Sequence, residues 1–164
     1  MRAFYSILIL LIPFVGFGQD EFNIQEMLDA HNKYRSELNI KPLVWSEKLS
    51  KTSQKWANEL SKKGRLIHCK SKKYCKDNGE NLALFEGYDL VSPTMVVDEW
   101  ASEIECFDYK TKDCISRNCV CGHYTQIIWR DTNEVGCAKV KKGNKEIWVC
   151  QYLPQGNYIN QKPY

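Results

Sequence analysis

Glu134-Val135-Gly136-Cys137-Ala138-Lys139-Val140-Lys141-Lys142-Gly143-Asn144-Lys145-Glu146-Ile147-Trp148-Val149-Cys150-Gln151-Tyr152 is the stretch from which the architecture is read. Glu134 to Lys141 and Glu146 to Tyr152 are strand-like, and Gly143-Asn144 between them is the two-residue signal of a tight hairpin. With Lys142 set opposite Lys145, stepping outward along both strands brings Cys137 directly across from Cys150. Counted from the turn, this pair falls in the non-hydrogen-bonded class, where Cα atoms lie about 4.5 Å apart. A disulfide accepts that separation.

The hairpin therefore asks for an oxidising compartment, and the N-terminus supplies the address. Met1-Arg2 is a positive start, Ala3 to Phe17 is almost wholly apolar, and Gly16-Phe17-Gly18 places small residues where a signal peptidase reads. The expectation is a signal peptide over residues 1–18, a mature domain over 19–164 and a secreted, extracellular protein. The apolar run is shorter than the roughly 20 residues of a spanning helix, so no transmembrane anchor is expected. The eight cysteines, Cys69, Cys75, Cys106, Cys114, Cys119, Cys121, Cys137 and Cys150, then read as a disulfide framework. A metal site from Cys114, Cys119 and Cys121 lacks the paired spacing of zinc ligands. The formal charge of +3 is spread among interleaved lysines and acids, which argues against a nucleic-acid partner.

Helices precede the hairpin. From Phe22 to Leu38 the apolar residues Ile24, Met27, Leu28, Tyr34 and Leu38 recur at helical spacing, and Pro42 follows the end of the run. Ser46 is the expected N-cap of a second helix, with Leu49, Ser53, Trp56 and Leu60 on one face and Gly64 as its stop. Ser92-Pro93 opens a third, with Val96, Val97, Trp100 and Ile104 inward, and His123 to Trp129 reads as a short fourth.

The polar residues follow from these placements. Glu103 lies three residues after Trp100 and shares its inward stripe, whereas Glu99 and Glu105 fall off it. Glu80 stands just after Gly79 at the start of the apolar stretch Leu82 to Phe85, His68 ends a basic segment, and His123 heads the short helix. Two histidines and two glutamates permit either a metal site or an acid/base pair. Spacing alone leaves open whether they converge.

In order along the chain stand Ala30-His31-Asn32-Lys33-Tyr34-Arg35, Leu43-Val44-Trp45, Leu66-Ile67-His68, Gly79-Glu80-Asn81-Leu82-Ala83, Trp100-Ala101-Ser102-Glu103, Gly122 to Trp129, Gly136-Cys137-Ala138 and Val149-Cys150-Gln151-Tyr152. This series resembles the CAP superfamily of cysteine-rich secretory, antigen 5 and pathogenesis-related class 1 proteins, most closely the last. The resemblance implies an α+β fold, a disulfide-stabilised three-layer α-β-α sandwich around an antiparallel sheet. It also implies a cavity tetrad of His68, Glu80, Glu103 and His123, in which His68 and His123 hold a divalent cation, zinc or magnesium. Two cysteines of the plant pattern are missing together, near Gly64 and after Val140, and Cys69 and Cys75 stand in exchange. Beside that resemblance, the pairs Cys69 with Cys75, Cys106 with Cys119 and Cys114 with Cys121 are expected, the first closing a short loop at the rim of the site.

Function is expected to be non-enzymatic: a secreted monomer that binds a sterol, a fatty acid or an extracellular protein partner. No nucleophile stands out, since Ser102 beside Glu103 has no obvious base. The alternatives are a metal-dependent hydrolase or peptidase, in which a cation activates water, and a precursor releasing an eleven-residue signalling peptide that starts at Pro154.

Overall fold

The structure is a computed structural model that describes residues 22–75 and 77–164; the expected signal peptide lies outside the described residues. Helix α1 spans Ile24–Glu37 and is capped by Asn23, whose side chain accepts from Glu26 N at 3.1 Å. The two-residue strand β1, Val44–Trp45, leads into α2, Glu47–Lys63. Ser46 stands at the head of α2 without a side-chain capping bond, and its carbonyl instead accepts from Ser50 N at 2.9 Å. Gly64 stops α2 in the left-handed conformation, φ 67°, which a residue without Cβ adopts without cost.

Strand β2, Gly79–Glu86, is followed by α3, Pro93–Ala101, where Ser92 caps Met95 N and Pro93 fills the first helical position. The sequence pattern carries this helix on to Ile104. In the structure it tightens at Ser102 into a 3-10 turn, Ser102–Cys106. A small ribbon of β3, Phe107–Asp108, and β4, Asp113–Cys114, precedes α4, Gly122–Ile127. The chain closes with β5, Glu134–Lys142, and β6, Lys145–Leu153.

The main sheet runs β1-β5-β6-β2. Its three long strands are antiparallel, in the register read from the turn, with Lys142 opposite Lys145 and Cys137 opposite Cys150. The sheet as a whole is mixed, because β1 joins β5 in parallel over two residues. On one face α2 buries Trp56, Ala57 and Leu60 against Leu82, Ile147 and Val149. On the other, Met27, Val97, Trp100 and Ile127 close over Ala83, Trp148 and Tyr152. The result is three layers. Burial of each large apolar side chain contributes about 1.5–3 kcal/mol, and the four disulfides constrain the loops. Cys137–Cys150 bridges the hairpin at a Cα separation of 4.0 Å, while Cys69–Cys75, Cys106–Cys119 and Cys114–Cys121 tie loops at the sheet's ends.

Two contacts set the layers' spacing. A Cβ at Gly136 would collide with Ser50 N, Ser46 O and Leu49 Cβ, so α2 sits directly on β5 only because position 136 has no side chain. Arg35 is fully buried at the end of α1 and donates to Lys41 O at 2.7 Å, to Ile127 O and Trp129 O at 2.8 Å, and to Thr132 O at 2.9 Å. Burial lowers its pKa to about 10, so the guanidinium stays charged and pins the segment that follows α4. Among the described residues no helix is long and apolar enough to cross a membrane.

Candidate functional site

Strand β2 is an edge of the sheet, and the four candidate residues collect along it as two pairs. Gly79 and Glu80 open the strand; alternation then sends the side chains of Glu80 and Leu82 toward the α2 layer, and those of Asn81 and Ala83 toward the other.

The first pair is on the α2 side. The chain leaving α2 brings His68 to Glu80, with His68 Nδ1 at 2.9 Å from Glu80 Oε1. The same oxygen accepts the Cys69 amide at 2.9 Å, so the Cys69–Cys75 loop is anchored to the carboxylate. The Glu80 side chain is only 7% exposed against 66% for His68, and its Oε2 is buried without a hydrogen-bond partner among the described residues. The carboxylate raises the His68 pKa above its ordinary value, against a smaller opposing effect of partial burial.

The second pair is where α3, the 3-10 turn and α4 meet. Glu103 lies in the 3-10 turn rather than on α3, and the tighter winding swings its carboxylate to the head of α4. There Oε2 accepts from His123 N at 2.7 Å and Tyr124 N at 3.2 Å, while Oε1 is 2.6 Å from His123 Nδ1. The first amides of a helix are otherwise unpaired and carry partial positive charge, which explains why a carboxylate settles there. Burial pushes the Glu103 carboxyl up, but the bonds from the His123 ring and the two amides outweigh it and hold the pKa below the usual range. The Trp100 ring lies nearly parallel to His123, 17° off, with centroids 6.4 Å apart.

One residue without a role in the sequence reading joins the pairs. Asn81 donates to the His123 carbonyl at 3.1 Å, so adjacent residues of β2 serve the two pairs from opposite faces. Its signal was its place in Gly79-Glu80-Asn81, one step of strand alternation beyond Glu80. Among the described residues no three His, Cys, Asp or Glu side chains gather as a metal site would require. Each histidine has Nδ1 engaged by a carboxylate, which leaves Nε2 as its remaining ligand atom.

Ser102 is committed elsewhere, its hydroxyl donating to Glu99 O at 2.7 Å. The tail from Pro154 is fastened along its length. Asn157 bonds Thr125 and Gly122 O, Arg130 N donates to Pro163 O at 2.7 Å, Lys162 pairs with Asp113, and Tyr164 lies against Phe107.

Comparison with known proteins gives the family and the fold. Residues 28–152 match the family described as CAP, the cysteine-rich secretory protein family. Pathogenesis-related protein 1 of Arabidopsis thaliana is 40% identical over 171 residues, covering 100% of this chain and 99% of that protein. Pathogenesis-related protein 1B of Nicotiana tabacum is 35% identical over 167 residues, covering 100% of this chain and 95% of its own length. Among solved structures, Schistosoma mansoni venom allergen-like protein 4 superposes with TM-score 0.68 at 20% identity, covering 85% of this chain and 92% of that one. NaASP2 with Zn2+ gives TM-score 0.70 at 20% identity, covering 91% and 90%. The structures speak to the fold, and the sequence match over most of the chain speaks to descent: the chain belongs to the CAP, or cysteine-rich secretory protein, family.

Proposed function

We propose that this protein is secreted and acts outside the cell as a non-enzymatic binding protein for a small apolar ligand, a sterol or a fatty acid, in a defence setting like that for which its pathogenesis-related relatives are named. The observation that carries the reading is the company the two histidines keep. Each has Nδ1 held by a carboxylate, and the neighbouring loops present exposed apolar side chains: Leu66 two residues before His68, Val120 three before His123, and Ile115 on the same disulfide-tied loop. Exposed apolar side chains on the loops that lead to both histidines fit a ligand or partner surface.

Among the described residues no three side chains gather for a metal, so a divalent cation would have only the Nε2 atoms of His68 and His123 and would complete its coordination with water, as a weak site. Zinc, which accompanies NaASP2 in its solved structure, is the metal to test. When bound it would supply Lewis acidity, while Glu80 and Glu103 orient the rings. In the hydrolase alternative a cation would activate water with Glu80 or Glu103 as general base, but these carboxylates are already engaged, Glu80 by His68 and the Cys69 amide and Glu103 by His123 and the Tyr124 amide. Release of the tail at Pro154 would have to break its anchors at Asn157, Pro163 and Lys162.

The test titrates the purified secreted protein with dehydroergosterol and with cis-parinaric acid, following their fluorescence, and measures peptide hydrolysis with added zinc in parallel. Saturable binding of one probe, weakened at least tenfold in Val120→Asp, and no zinc-dependent turnover are expected. A zinc-dependent rate lost in His123→Ala would overturn the reading.

A further inference from the structure

The sheet's other edge is also open. Strand β1 covers β5 only at Glu134 and Val135, so among the described residues β5 from Cys137 to Lys141 has no strand on the side away from β6. Beside this free stretch lies a groove of about 750 Å³. Its lining combines Phe22, Ile24 and Trp45 with Lys51 and Lys55 of α2 and with β5 itself. We propose that this groove docks an extended acidic peptide segment of a partner protein, which adds to β5 as a further strand. It is distinct from the paired histidines, which lie on the β2 edge, across β6.

The backbone of β5 is set for such a guest. Lys142 and Lys145 close the two-residue turn as a hydrogen-bonded pair, so residues 141, 139 and 137 direct their amides and carbonyls away from β6. The outward direction is visible where α2 uses it: Ser50 Oγ donates to Cys137 O at 3.0 Å and Gln54 Nε2 to Lys139 O at 3.1 Å. The side chains of α2 thus satisfy the carbonyls of Cys137 and Lys139 and, among the described residues, leave the outward amides of Lys139 and Lys141 as donors. A strand laid beside them would present its carbonyls about 7 Å apart, every second residue, which matches that spacing.

Charge selects the peptide. The groove is lined by Lys51, Lys55, Lys139 and Lys141 against a single acid, Glu47. Glu47 already accepts the Trp45 indole at 3.0 Å, Lys139 pairs with Glu146 at 3.5 Å, and Lys141 leans on Asp89 O at 3.4 Å. Lys51 and Lys55 are exposed and make no ion pair among the described residues. Two uncommitted cations beside unpaired amides favour carboxylates on an extended backbone, while Phe22, Ile24 and Trp45 offer an apolar lining to the side chains between them.

The probe is the peptide acetyl-Glu-Thr-Glu-Thr-Glu-amide, with a lysine-for-glutamate version as control, added to the secreted protein and followed by amide hydrogen exchange and fluorescence anisotropy. Saturable binding of the acidic peptide is expected, with exchange slowed at Lys139 and Lys141 and affinity at least tenfold weaker in K51E/K55E, whose fold is checked by circular dichroism. Equal binding of the lysine peptide, or binding that leaves those two amides unprotected, would overturn the proposal. So would protection given by palmitate but not by the peptide. Protection at Lys139 and Lys141 without any added peptide, lost when residues before Phe22 are removed, would assign the groove to this chain's own N-terminal segment instead.

Discussion

Replacement of Arg35 by methionine tests how the fold holds the short helix that carries His123. The guanidinium is fully buried, has no carboxylate partner, and spends its donors on four backbone carbonyls, at Lys41, Ile127, Trp129 and Thr132. In Arg35→Met, Trp129 O keeps a bond from Thr132 N at 3.2 Å and the carbonyl of exposed Lys41 is open to water, whereas Ile127 O and Thr132 O lose a charged donor inside the protein. A buried polar group left unpaired costs about 1–3 kcal/mol, so the two together cost at least about 2 kcal/mol even with the charge's own desolvation removed. Against a total of about 5–15 kcal/mol, that is a large share. Urea unfolding with disulfides intact, read by tryptophan fluorescence, is expected to show a loss of about 2 kcal/mol or more. Arg35→Lys is expected to fall between wild type and Arg35→Met, since an ammonium cannot reach four divergent carbonyls. A loss below about 1 kcal/mol in Arg35→Met would refute the reasoning.

Other consequences follow from the same contacts. His68 is raised by Glu80, so its stabilising effect is fully present below the ordinary value near 6.5 and fades as pH rises through the raised value; NMR titration is expected to find its midpoint above 6.5, moving back down in Glu80→Gln. Glu103 is held low, so its contribution is present above the ordinary value of 4.5 and is lost as pH falls through the depressed one; in Glu103→Gln that acid-side loss is expected to disappear from the pH dependence of unfolding. His31, wholly buried between Met27 O and Tyr152 OH, is lowered to about 4 by burial, so stability is expected to fall between about pH 6.5 and 4, and His31→Gln is expected to flatten that limb. Gly136→Ala is expected to cost a few kcal/mol in urea unfolding, because its methyl group meets backbone atoms of α2 rather than a movable side chain.

The hairpin was legible because its turn, its alternation and its two cysteines agree on one register, and the structure keeps that register from Lys142 to Glu134. Ser92-Pro93 and Gly64 marked helix ends through chemistry that acts locally, a hydroxyl cap, a fixed φ and a left-handed stop. Glu103 was harder. Its inward direction could be counted from Trp100, but the 3-10 turn that delivers it depends on amides at the head of α4, twenty residues later in the chain. The parallel addition of β1 was hidden for a similar reason, since two residues carry no pattern and the pairing is made by Val135 and Asn133 far downstream. Residue identity pointed to His68 and Glu80, and only three dimensions show the Cys69 amide sharing the same carboxylate oxygen and Asn81 reaching the other pair.

Whether the protein binds an apolar ligand or turns over a substrate is decided by native mass spectrometry of the purified protein after mixing with ergosterol or with palmitate. A one-to-one adduct with one of the two, lost in Val120→Asp, is expected. Absence of an adduct with either, beside a zinc-bound form that cleaves peptide, would overturn the binding function.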